Sequence, residues 1–316
     1  MTLKPAGDLA LARTLLREQL GGEATDLSLL AGGQFSQAFS CTVGGRGYVL
    51  RLNDAAHAAE GFAKDDYAWR YFASPALPIP RVVATGRTAG GCFAISERAH
   101  GRTLDRLPPP VRAAVLPAAL DTLDAIGRAD VGTSAGYGPW DGAGRGRFTS
   151  WREALAELIE NETAGFYRDW HALFRDSFLE RGLYETLYRR MLQLAAACPE
   201  QRGLIHNDYH DENILADGRQ ITAVIDWAEA GYGDPLYDVA WIGWWAEIAD
   251  PVLLRARYGT APGYDERIAC YSLHLGLNDL RYYARRGMRA RYERGRARLL
   301  AVAAGDMDAA LRLPVP

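Results

Sequence analysis

The chain has 316 residues, of which 48% are hydrophobic and 24% charged, with a net charge of −3. That is the balance of a globular protein large enough for two lobes, and it gives no reason to expect a nucleic acid as partner. Cys41, Cys92, Cys198 and Cys270 are scattered without close pairing, no apolar run approaches a membrane span and no signal-peptide pattern opens the chain, so the expected setting is reducing and cytoplasmic, with no membrane contact.

Residues 8–20 have the apolar spacing of a helix, with Asp8 as its N-cap. Residues 27–30, 35–43 and 47–52 read as three strands, and Gly32-Gly33-Gln34-Phe35-Ser36 stands between the first two. A helix is expected over 62–72, then strands over 81–85 and 92–97. After a crossing at 99–104, helical patterns dominate at 111–129, 151–159, 181–197, 237–248 and 265–283. The Gly-rich stretch 131–148 predicts an irregular surface loop.

The chemistry concentrates in residues 204–215, LIHNDYHDENIL. Asp208 and Asn213 stand five residues apart between apolar runs, and Asp226 closes the strand-like run 222–226, eighteen residues after Asp208. This is the layout of a kinase catalytic loop followed by its metal-binding strand. A carboxylate at Asp208 can aim an acceptor hydroxyl at a γ-phosphate and take its proton. A triphosphate needs a hard cation, Mg²⁺, and hard cations take oxygen ligands: the amide of Asn213 and the carboxylate of Asp226. His206 braces the loop on this reading. The spacing of His206 and His210 also fits a metal clip on a helix, but the zincin pattern requires Glu directly after the first His, and Asn207 stands there.

The series His206, Asp208, Asn213 and Ile225-Asp226-Trp227 resembles the aminoglycoside phosphotransferase family, a branch of the protein-kinase-like fold. Residues 43–51 (VGGRGYVLR), 72–80 (FASPALPIP) and 219–227 (RQITAVIDW) are similar to its hygromycin B branch, and the likeness runs over most of the chain. The resemblance implies an α+β bilobal fold: a small N-lobe over residues 1–98, with a five-stranded antiparallel sheet plus a helix, and a larger, mostly helical C-lobe over 99–316. It implies ATP as phosphoryl donor, with GTP as an alternative; a monomer is expected over an oligomer, though the sequence itself does not fix the oligomeric state. Gly32, Gly33 and Ser36 would then cover the triphosphate, since glycines let backbone N–H groups approach phosphate. The backbone of Glu97 and Ala99 would meet the adenine edge. Where most of the superfamily has a lysine on the third strand, this chain has Arg51, which keeps the charge and can grip phosphate oxygens with two N–H groups. Its acidic partner on the helix would be Asp65, with Asp66 the alternative.

A polycationic acceptor calls for carboxylates and aromatic faces. The candidates are Asp211, Glu212, Glu229, Trp244, Trp245 and Glu247, with Trp241 nearby; Asp234 and Asp238 read as groups that hold the catalytic loop. Packing of the tryptophans in the core competes with contact to the acceptor. The eight arginines between Arg281 and Arg298 read as a solvated helix face, which would repel a cation if it bordered the acceptor. Three classes follow. The first is a kinase of aminocyclitol antibiotics such as hygromycin B, acting at a ring hydroxyl, the 4-hydroxyl by resemblance. The second is the same chemistry on another small alcohol; the third is a nucleotide-binding module without turnover, against which the intact Asp208, Asn213 and Asp226 argue.

Overall fold

The computed structural model describes residues 8–31, 36–55, 58–245 and 248–316. Gly32, Gly33 and Glu247, three of the expected contact residues, lie outside the described residues. Contacts divide the chain into two units: Met1–Ala125 with Asp141–Gly144 and Asp211–Glu229, and Ile126–Trp140 with Arg145–His210 and Ala230–Pro316.

Helix α1 (Leu9–Leu20) opens the first unit. Asp8 Oδ1 accepts the backbone N–H groups of Ala10 and Leu11 at 2.9 Å each, satisfying donors that a helix start leaves open. Strands β1 (Thr25–Leu29), β2 (Gln37–Val43), β3 (Arg46–Asn53), β4 (Val82–Thr88) and β5 (Gly91–Glu97) form an antiparallel five-stranded sheet in the order β1-β2-β3-β5-β4. Helix α2 (Ala58–Phe72) lies between β3 and β4 in sequence. The period of two along β3 sorts its side chains. Tyr48, Leu50 and Leu52 turn to the face buried with Leu15 and Leu16 of α1, Phe39 of β2 and Ile95 of β5. Each fully buried side chain of that size contributes roughly 1.5–3 kcal/mol. Arg51 therefore turns to the opposite face, in register with Ala94, where Cys92 and Phe62 of α2 cluster.

Beyond β5, strand β6 (Arg102–Thr103) pairs with Ile214–Ala216, which pairs in turn with Ile221–Val224.

The second unit is built on the helix Tyr264–Arg286, against which Arg181–Ala195, Leu236–Trp245 and Arg289–Ala303 all pack. The stretch 131–148 is not an irregular loop. It supplies the strands Tyr137–Trp140 and Gly146–Phe148 to a four-stranded sheet completed by Gly231–Gly233 and Gly203–Ile205. Glycine lowers strand propensity, which hides these strands from a pattern reading. Here it is needed: a Cβ on Gly231 would lie 2.6 Å from the Gly138 carbonyl oxygen, so only glycine permits this strand approach. Among the described residues, no helix is long and apolar enough to cross a membrane.

Candidate active site

In the first unit, Ile214 stands opposite Val224, and the Ile225 N–H donates to the Asn213 carbonyl at 2.9 Å. Asn213 and Asp226 thus flank one end of a single two-stranded ladder, Asn213 buried and Asp226 exposed. Asp226 has φ 66°, in the left-handed region that Asp and Asn tolerate better than other non-glycine residues. A neutral and an anionic oxygen donor in neighbouring positions suit a hard cation. Among the described residues there is no group of three or more His, Cys, Asp or Glu placed to hold a metal by itself. A cation at this pair would complete its shell with phosphate oxygens and water.

The Arg51 guanidinium donates from Nη2 to Asp65 Oδ2 and lies over the Phe62 ring, Cζ 4.9 Å from the centroid. The other oxygen of Asp65 accepts the Trp227 N–H at 2.8 Å. One carboxylate thereby joins the arginine of β3 to the residue directly after Asp226. Asp66, adjacent in sequence, forms an exposed pair with Arg70 at 2.9 Å instead. Burial disfavours the charge on Arg51, but Asp65 and Asp226 outweigh it and hold the pKa above the ordinary arginine value. Ser36 Oγ accepts from Asn53 Nδ2 at 3.1 Å. Glu97 pairs with Tyr48 across the sheet, its N–H donating to Arg81 O at 2.8 Å, and Ala99 is half-buried. The Asp211 carboxylate is paired with Arg112 at 3.0 Å, whereas Glu212 and Glu229 are exposed.

In the second unit, the strand Gly203–Ile205 leads into His206, which is fully buried. Asp238 accepts the His206 N–H at 2.7 Å and the Asn207 N–H at 2.8 Å. Burial pushes its carboxyl up to about 7, the two N–H bonds pulling down and the charge of Asp208 pushing up. Asp208 follows on this clamped backbone, half-buried. His210 Nε2 lies 3.6 Å from Asp208 Oδ2, and its ring stacks on Trp241 with centroids 5.7 Å apart. A carboxylate on a backbone held this way can fix the direction of a hydroxyl and accept its proton.

A model of the phosphotransferase enzyme family matches residues 26–274. The chain belongs to that family. It is 38% identical to hygromycin-B 4-O-kinase of Escherichia coli over 81% of this chain and 74% of that protein. It is 28% identical to homoserine kinase of Methylobacillus flagellatus over 69% of this chain and 63% of that protein. A thermostable mutant of aminoglycoside phosphotransferase APH(4)-Ia, in ternary complex with AMP-PNP and hygromycin B, superposes with a TM-score of 0.81 at 35% identity, covering 93% of this chain and 98% of that one. The fold is the kinase-like fold of aminoglycoside phosphotransferases, and the chain is a small-molecule kinase.

Other positions of this phosphotransferase differ from the sequence expectations or were missed by them. Trp244 turns into the core, 2% exposed, its Nε1 donating to Asp279 at 2.6 Å. Trp241 and Trp245 remain half-buried, their rings 6.2 Å apart. Asp234 is a core anchor, receiving Arg267 Nε at 2.7 Å and the Tyr271 hydroxyl at 2.5 Å. The arginine run is not one solvated face. Arg281 lies over the Tyr167 ring at 4.1 Å and pairs with Glu162 at 3.2 Å; Arg298 is 2% exposed, over Trp244 at 5.0 Å, and donates to Gly243 O at 3.0 Å. Their partners are distant in sequence, so charge pattern alone does not reveal the burial. Lys64 was passed over: its Nζ donates to the Ala228 carbonyl. Its position directly before Asp65, in a chain with only two lysines, was the available signal.

Proposed function

We propose that this phosphotransferase moves the γ-phosphoryl group of ATP to a ring hydroxyl of an aminocyclitol antibiotic, hygromycin B foremost and its 4-hydroxyl in particular, and so gives resistance. The observation that carries the reading is the joining of Arg51, Asp65 and the Asp226 turn beside Asn213. A phosphate clamp and a cation pair are what a triphosphate donor requires.

Asp208 orients the acceptor hydroxyl and takes its proton as the loose transition state collapses. Arg51, held by Asp65, grips the inner phosphates. Asn213 and Asp226 would hold Mg²⁺, which would supply positive charge to the triphosphate. Gly32, Gly33 and Ser36 cover the triphosphate, and the backbone at Glu97 and Ala99 receives the adenine. Residues 1–98 serve the nucleotide, and 99–316 carry the catalytic loop and the acceptor contacts. Glu212, Glu229, Glu247 and Trp245 are the acceptor contacts we favour. Asp211 is already matched by Arg112, and Trp244 is buried. The protein acts as a cytoplasmic monomer.

The test is purified protein with Mg-ATP and hygromycin B, following ADP release and product mass. A gain of one phosphate is expected. Intact antibiotic alongside bound ATP would sink the substrate assignment. It would favour another small alcohol, a reading to which the similarity to homoserine kinase lends support.

A further inference from the structure

A buried lysine is costly to keep, because an ammonium gives up its hydration shell on leaving water. Lys64 is 5% exposed, and its Nζ donates to the carbonyl oxygen of Ala228. Burial pulls its pKa below the ordinary lysine value, against the opposing charges of Glu229, Glu60, Asp65 and Asp141.

The place it grips is specific. Successive helix residues project about 100° apart, so Lys64 and Asp65 reach the chain from different sides of α2. Asp65 takes the Trp227 N–H at 2.8 Å, and Lys64 takes the Ala228 carbonyl. The two grips fall one and two residues after Asp226, whose backbone is in the left-handed region at φ 66°. A non-glycine residue keeps that conformation only when its surroundings enforce it.

We propose that Lys64 is a positioning residue: by holding the Ala228 carbonyl it sets the Asp226 turn for cation binding. Of the two contacts described, it is the one that does not also serve Arg51. The inference rests on reading Asp226 as a ligand of the nucleotide's cation.

This separates Lys64 from a packing role. If it served only to fill space, Lys64→Met would keep the volume, remove the desolvated charge and leave function intact. If it positions Asp226, Lys64→Met melts within a few degrees of the wild type yet responds poorly to the metal. The measurement is calorimetric binding of AMP-PNP with and without Mg²⁺. Expected for Lys64→Met is a metal-free affinity within twofold of the wild type and a Mg²⁺ enhancement reduced tenfold or more. Lys64→Gln, which keeps a donor for Ala228, recovers part of it and serves if the Met variant does not fold. A Mg²⁺ enhancement within twofold of the wild type, or an equal loss of affinity with and without metal, overturns the proposal. Wild-type protein whose AMP-PNP affinity ignores Mg²⁺ would instead remove the cation reading of Asp226 itself.

Discussion

Asp238 gives a prediction whose sign and size both follow from its surroundings. Its two oxygens hold the N–H groups of His206 and Asn207 at 2.7 and 2.8 Å, and burial raises its carboxyl from 3.8 to about 7. Asp238→Asn keeps the shape but turns an N–H₂ toward one of those donors, at a cost of about 1–3 kcal/mol. A carboxyl whose pKa is raised by folding binds more protons folded than unfolded between those two values. Its contribution is therefore complete below the unfolded value and is lost as pH rises toward 7. From pH 5 to 7 the loss is about 2 kcal/mol, since the full slope of about 1.36 kcal/mol per decade of pH holds only well below 7 and is halved there, and the asparagine variant does not suffer it. Urea unfolding of both proteins at pH 5, 6, 7 and 8 should show the variant less stable at pH 5. The gap should close or invert by pH 8. A gap that stays constant, or widens with pH, would refute the account of a charge held against its burial.

The remaining outcomes concern chemistry and packing. Asp208→Ala should lower turnover by several orders of magnitude with AMP-PNP affinity little changed; loss of nucleotide binding by calorimetry would remove it as base. Asp226→Ala should weaken Mg-nucleotide binding as well as turnover, and unaltered metal dependence would count against its role. Arg51→Lys keeps the charge opposite Asp65 but not the two-pronged grip, so partial activity with a raised KM for ATP is expected. Wild-type kinetics would show that the fork is idle. Arg298→Met removes a buried guanidinium whose Nη1 has no hydrogen-bond partner among the described residues, so stability should stay level or rise by about 1 kcal/mol or more. A melting temperature several degrees lower would show that the contact with Trp244 outweighs the burial.

The spacing of Asp208, Asn213 and Asp226 stands out in the sequence because phosphoryl transfer would dictate both the residue types and their separation; that a ladder brings Asn213 beside the Asp226 turn is a matter of strand pairing, which the spacing alone does not give. The sheet was legible for a related reason: alternation in β3 follows from a period of two, and Arg51 faces α2 because Leu50 and Leu52 face α1. The sequence preferred Asp65 to Asp66 as the partner of Arg51, and the structure pairs Arg51 with Asp65, the two adjacent acids being separated by helix phase. The strands at Tyr137–Trp140 and Gly146–Phe148 were hidden because close backbone approach selects the residue that pattern reading takes for a loop. The burial of Arg281 and Arg298 depends on Tyr167 and Trp244, which no local window contains.

The left-handed backbone at Asp226 also constrains how this position can change over evolutionary time. Glycine and asparagine are the replacements its φ of 66° tolerates most cheaply, and neither carries charge. Most other side chains would strain the turn in addition to removing the carboxylate. Single mutations here therefore fall into two kinds: those that leave a folded protein without the carboxylate, and those that also erode the fold. Glutamate, which would keep the charge, belongs to the second kind. The backbone thus shuts off the chemically gentlest route, the one that would keep the charge, and leaves glycine and asparagine, both neutral, as the cheap departures.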